Sequence, residues 1–171
     1  MAIAVVENRF CFYGAWNRNE NSDGLDWFLR TVYPRITGDF HFCVIGGGMS
    51  DPLQAKLKAY KTIDYLGFVD NPVREIAQCQ ALIAPLFKGA GVKVKVIDAL
   101  SSGTAVIGTD VAFEGIEDNT KNRLFYRANA SLEFSALLNN WRNVSAMQKQ
   151  AAADEFYSRY NTNHFADMVP R

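Results

Sequence analysis

The stretch Lys88–Thr109, KGAGVKVKVIDALSSGTAVIGT, decides how the chain folds. Val92-Lys93-Val94-Lys95-Val96 alternates with period two, the mark of a half-exposed strand. Lys88-Gly89-Ala90-Gly91, just before it, has the character of a loop that opens a helix beside a phosphate. The flanking segments settle the conflict. ALIAPLF (Ala81–Phe87) precedes and TAVIGT (Thr104–Thr109) closes the stretch, and each reads as a short strand. Two parallel strands of one sheet need a crossover between them, usually a helix. The stretch is therefore read as helical over Val92–Ser102, with Gly103 ending it. β-Branched residues lower helix propensity by only about a few tenths of a kcal/mol each, which packing overrides. On that helix Lys95 and Asp98 are i, i+3 neighbours, so an ion pair between them is one expectation. Gly89 and Gly91 let the backbone come close to a ligand, and the first free N–H groups attract an anion.

Working outward, strand and helix patterns alternate along the chain. RFCFYG (Arg9–Gly14) is a strand. DGLDWFLRTVYPRI (Asp23–Ile36) is a helix with Leu25, Phe28, Leu29 and Val32 on one face, capped by Ser22 or Asp23. FHFCVIG (Phe40–Gly46) is a buried strand, and DPLQAKLKAY (Asp51–Tyr60) a helix that opens with Pro52. TIDYLG (Thr62–Gly67) is a strand, and NPVREIAQC (Asn71–Cys79) repeats the cap-then-proline helix start. RLFYRA (Arg123–Ala128) is a short strand candidate, followed by helical patterns over Ser131–Trp141 and Val144–Tyr160. Strands alternating with such helices predict βαβ units: an α/β, Rossmann-like parallel sheet with helices on both faces. Sheets of this kind bind ligands at the carboxyl ends of their strands.

Composition narrows the class. A chain of 171 residues fits one domain and buries enough surface to build a core without staples. Lys plus Arg and Asp plus Glu both number 18, so the chain lacks the basic excess of a nucleic-acid or anionic-membrane surface. The three cysteines, Cys11, Cys43 and Cys79, are odd in number and far apart, and they read as small buried hydrophobes in a reducing compartment. His41 and His164 are not spaced as metal ligands. No apolar run is long enough for a membrane span, and MAIAVVENRF lacks the basic leader of a signal peptide.

Several motifs then occur in a recognisable order. PLFKGAGVKVKVIDALSSGTAVIGTDVAFEGIE (Pro85–Glu117) resembles the donor-site signature of family 4 glycosyltransferases, the glycosyl transferases group 1. FYGAWNRNENSDGLDWFL, FCVIGGGMS, LGFVDN and EGIE are similar to that family's other landmarks. The resemblance covers roughly Arg9 to Glu117. It implies a GT-B enzyme, built of two Rossmann-like domains facing across a cleft. The matched part is the C-terminal half that binds the donor nucleotide. On this reading residues 9–171 are the donor-nucleotide-binding domain, residues 1–8 are the remnant of an interdomain linker, and an N-terminal acceptor-binding domain completes the enzyme.

The resemblance also implies a donor site. Asp98 matches the family's glutamate that bonds the donor ribose hydroxyls, shorter by one methylene. The family's preceding acidic residue, which contacts the transferred sugar, falls on Ala90, eight positions earlier. Some branches carry a small residue there together with a G-x-(K/R)-x-K run, which Lys93 and Lys95 fit. Gly46, Gly47 and Gly48 match the loop facing the donor, and Phe68 and Val69 the segment that reads the base. Gly89, Gly91 and Glu114 belong to loops near the donor. The basic phosphate ligands often found after the first strand have no evident counterpart at Ala15 and Trp16, which leaves Lys88, Lys93 and Lys95 as candidates. The implied reaction is retaining transfer from a UDP-, GDP- or ADP-type nucleotide-sugar, with no cofactor or dedicated metal, in the cytoplasm or at a membrane surface reached through the other domain.

A second reading has the chain as a non-catalytic nucleotide-binding or partner-docking domain, since Ala90 lacks the acid. A third, a response-regulator-like domain, would want an acidic cluster after the first strand, and FYGAW offers none. Phe156, Tyr157, Tyr160 and Phe165 read as core packing or as a contact with the other domain.

Overall fold

The computed structural model describes residues 3–117 and 124–159. Arg123, Tyr160, His164 and Phe165, singled out above, lie outside the described residues. The elements are β1 (Arg9–Tyr13), α1 (Asn19–Thr31), a 3-10 turn (Tyr33–Arg35), β2 (His41–Ile45), α2 (Asp51–Leu57), β3 (Ile63–Gly67), α3 (Pro72–Ala77) and β4 (Ala81–Ala84). They continue with α4 (Val94–Ser101), β5 (Ala105–Gly108), β6 (Phe125–Arg127), α5 (Ser131–Asn139) and α6 (Ala146–Arg159).

The strands form one six-stranded sheet in the order β3-β2-β1-β4-β5-β6. Every neighbouring pair is parallel. This is the doubly wound, Rossmann-like arrangement, and its order reverses between β1 and β4. Strands buried on both faces need apolar residues on both. Phe10 and Phe12 of β1 pack with Phe28 and Leu29 of α1, Leu57 of α2, and Phe134 and Leu138 of α5. The alternate residue Cys11 packs on the other face with Ile76 of α3, Val96 and Leu100 of α4, and Phe156 of α6.

The period-two stretch resolves as the crossover requires. Lys93 is extended and caps α4, which then runs from Val94 with Val96, Ala99 and Leu100 buried. Gly103 ends it with φ +71°, and a Cβ there would stand 1.9 Å from the Lys149 carbonyl oxygen of α6. Two helix starts follow their sequence signals. Ser50 accepts from the Leu53 amide and Asn71 from the Arg74 amide, with prolines in the first turns. The expectation for α1 is corrected: it begins four residues before Asp23, at Asn19, behind an extended Arg18, with no side-chain cap. Residues 3–8 form no regular element, but Val6 bonds to Gln78 and Gln80 beneath the sheet.

Candidate functional site

The reversal of strand order leaves a crevice outside the carboxyl ends of β1 and β4, and a cavity of about 750 Å³ lies there. The loop after β2 forms one wall. Gly46 has φ +115°, and a Cβ on it would come within 1.9 Å of the Gly14 carbonyl oxygen, so only glycine fits. Trp16 fastens this loop, its indole donating to the Ile45 carbonyl at 3.0 Å and its amide to Gly47 at 2.9 Å. Tyr65 of β3 donates to the Gly46 carbonyl at 3.1 Å. Gly46, Gly47, Gly48, Phe68 and Val69 all line the cavity. Phe68 is 80% exposed, an open aromatic face among the described residues.

The opposite wall is the Gly-rich loop and the start of α4, with Gly89, Ala90, Lys93 and Lys95 in the lining. The three candidate lysines separate clearly. Lys88 stands outside the lining, paired with Asp23 at 2.6 Å. Lys93 donates to the Gly91 carbonyl at 2.6 Å and lies 3.9 Å from Glu114. Glu114 also accepts from the Gly91 amide at 3.3 Å, so Gly91 and Glu114 are bracing parts of the loop rather than cavity wall. Lys95 faces no carboxylate at ion-pair distance among the described residues. Its ammonium donates to the Asn21 amide oxygen at 2.6 Å, and burial lowers its pKa to about 8. The Lys95–Asp98 pair expected from helix spacing does not form, because Lys95 turns toward α1.

Asn21 is the organising residue that sequence reading missed. It is 8% exposed, in the first turn of α1, and its amide nitrogen donates to the Ala15 carbonyl at 2.9 Å. Gly14 makes the room: a Cβ there would meet Asn21 at 2.8 Å and the Lys95 ammonium at 3.0 Å. Arg18 and Glu20, 3.9 Å apart, also line the cavity. Arg18 thus places a basic residue just after the first strand, four positions beyond Gly14. Two helix N-termini, those of α1 and α4, open on the same space, and their unpaired N–H groups carry partial positive charge.

Asp98 sits one turn along α4, outside the lining, with its carboxylate making no hydrogen bond or ion pair among the described residues. Burial raises its pKa, and its charge in turn raises that of the cavity residue Tyr13, next to burial itself.

An open parallel sheet with a glycine-walled cavity at its switch point defines a Rossmann-like domain, one half of a GT-B fold. The particular family is shown by sequence: residues 7–141 match the glycosyl transferases group 1, and the chain belongs to that family. A protein of Klebsiella pneumoniae described as "Uncharacterized 44.6 kDa protein in cps region" is 27% identical over 153 residues, 82% of this chain and 39% of that protein. Among solved structures, TarM superposes with a TM-score of 0.70 at 17% identity, over 96% of this chain and 34% of its own. WaaG, a glycosyltransferase involved in lipopolysaccharide biosynthesis, gives 0.63 at 14% identity, over 94% and 45%. Anabaena HepE, crystallised with UDP and glucose, gives 0.62 at 14% identity, over 94% and 47%. The chain thus spans less than half the length of each. Among the described residues no helix is long and apolar enough to cross a membrane.

Proposed function

We propose that this chain is the donor-binding half of a retaining glycosyltransferase, which moves a sugar from a nucleotide-sugar to an acceptor once an acceptor-binding domain closes the other side of the cleft. The observation that carries the reading is Lys95: a buried ammonium, held by an amide instead of a carboxylate, facing a cavity at two helix N-termini. Such a group suits a diphosphate. As the bond between the sugar and the diphosphate breaks, negative charge builds on the leaving phosphate, and Lys95, Arg18 and the α4 amides stabilise it in place. Phe68, Val69 and Gly46 to Gly48 suit the base. Asp98 suits the ribose hydroxyls, with a charged hydrogen bond contributing roughly 1.5–3 kcal/mol. No step in this scheme calls for a metal or cofactor.

A thermal-shift panel with UDP, GDP, ADP and CMP tests it, with UDP first because HepE was crystallised with it. A nucleotide diphosphate at 100 times its dissociation constant adds about 2.7 kcal/mol of stability. A shift with one of them that Lys95→Met reduces at the same nucleotide concentration supports the reading, and no shift with any of them sinks it. A second reading rests on Ala90, which brings a methyl group to the cavity wall where a sugar-contacting acid would stand. The chain would then bind a nucleotide, or dock a partner, without turnover. Clear transfer from a labelled donor, by the chain joined to an acceptor-binding domain, would refute that version.

A further inference from the structure

Three cysteines far apart in sequence converge on the α4 face of the sheet. Cys11 and Cys43 are register partners on β1 and β2, and the Cys43 sulfur lies 3.6 Å from that of Cys79, just past α3. All three are free thiols. They sit between two cations. Arg9 covers them from the start of β1, held by Gln78 at 2.9 Å and Glu75 at 3.5 Å. Lys149 of α6, 4% exposed, donates to the Cys79 carbonyl. Among the described residues no group of three His, Cys, Asp or Glu side chains is arranged to hold a metal ion.

We propose that Cys43 and Cys79 form an oxidation site, which a hydroperoxide converts to a disulfide tying β2 to the end of α3. Cys43 is the attacking sulfur. It keeps 3% exposure, while Cys11 and Cys79 have none. Hydrogen bonds from Cys11 and Cys79, with Arg9 beside it, hold its pKa well below the usual thiol range against the effect of burial. Each thiol has a backbone carbonyl in reach of its S–H, Cys43 that of Phe10 at 3.5 Å, Cys79 that of Glu75 at 3.4 Å and Cys11 that of Ala81 at 3.8 Å, so what sets Cys43 apart is the Arg9 guanidinium beside it and its residual exposure. Cys79 resolves. A hydrogen bond from Cys11 lowers its pKa, but its bond to Cys43 and burial outweigh that and push it up, so it stays a thiol until it reacts.

The step balances. The Cys43 thiolate attacks one peroxide oxygen, the O–O bond breaks, and the other oxygen takes a proton and leaves as water or an alcohol. Cys43 becomes a sulfenic acid. The Cys79 sulfur then attacks the Cys43 sulfur, the S–O bond breaks, and the departing hydroxide leaves as water with the Cys79 proton. Two thiols lose two electrons to one peroxide. A contact of 3.6 Å closes to a bond of about 2.05 Å by side-chain rotation and small backbone shifts.

The test exposes the folded chain to hydrogen peroxide, then maps peptides under non-reducing conditions. The expected result is loss of two hydrogens from the intact mass, a cross-link between the Cys43 and Cys79 peptides, and reversal by dithiothreitol. The oxidised chain should melt at a higher temperature, because a 36-residue span is closed. In Cys79→Ala, a sulfenic acid trapped on Cys43 by dimedone supports the assignment of the attacking sulfur. The proposal is overturned if all three thiols stay reduced until denaturant is added, or if the bridge formed joins Cys11. The wild-type map decides even if the variant does not fold.

Discussion

Lys95 on α4 and Lys149 on α6 titrate alike and do different things. Burial lowers both to about 8. Lys149 is buried beside Cys79 and Cys11, with its ammonium on the Cys79 carbonyl. Lys95 has an amide on one side and a cavity of about 750 Å³ beside it. A lowered lysine pKa therefore marks burial only. What makes Lys95 a candidate for anion binding is the space its charge faces, and what makes Lys149 an anchor is its burial on the Cys79 carbonyl.

Truncation should separate the two most sharply. Lys149→Ala leaves a void and an unpaired Cys79 carbonyl, and should cost about 2–4 kcal/mol of stability. The melting temperature should fall by roughly 5–15 °C while nucleotide affinity, measured by calorimetry on the folded fraction, holds. Loss of affinity with unchanged melting would break the comparison. Lys95→Met should do the reverse. A lost charged contact of about 1.5–3 kcal/mol weakens nucleotide diphosphate binding roughly 10- to 150-fold, with the free chain melting no lower. Asp98→Ala should weaken binding at least about tenfold in the same titration.

Acidity sharpens the contrast further. Between the folded value of about 8 and the ordinary 10.5, each lysine binds fewer protons folded than unfolded. Stability of the free chain from these two groups therefore rises with pH across that window, as the cost of burying charge disappears. Nucleotide binding needs the Lys95 charge and should fall over the same window, by up to about tenfold at pH 9. Thermal-shift curves with and without nucleotide would show the two trends crossing, and Lys95→Met should abolish the second trend and leave of the first only the share Lys149 contributes. The smallest effect belongs to Asn21→Ala, which removes the brace of Lys95. One hydrogen bond of about 1 kcal/mol predicts roughly fivefold weaker nucleotide binding by calorimetry.

The alternation of strands and helices was legible because β1, β2, β4 and β5 are short apolar runs bounded by glycine, proline or polar residues, and a parallel sheet demands crossovers. The α4 crossover was legible only by overruling its local period. The start of α1 was not: NRNENS lacks an apolar stripe and reads as loop, and no side chain caps the helix. Asn21 was missed because its worth comes from Lys95, 74 residues away in sequence. The thiol cluster escaped too, because strand register, not spacing, brings Cys11 to Cys43.

The sheet ends in two unlike edges. β6 spans only Phe125–Arg127, too short a template for a foreign strand. β3 is five residues long, carries outward Asp64 and Leu66, and meets β2 through a register shift at Val44/Ile45. Unwanted strand-to-strand aggregation of this domain would start at β3, where Asp64 is the charge that holds it off.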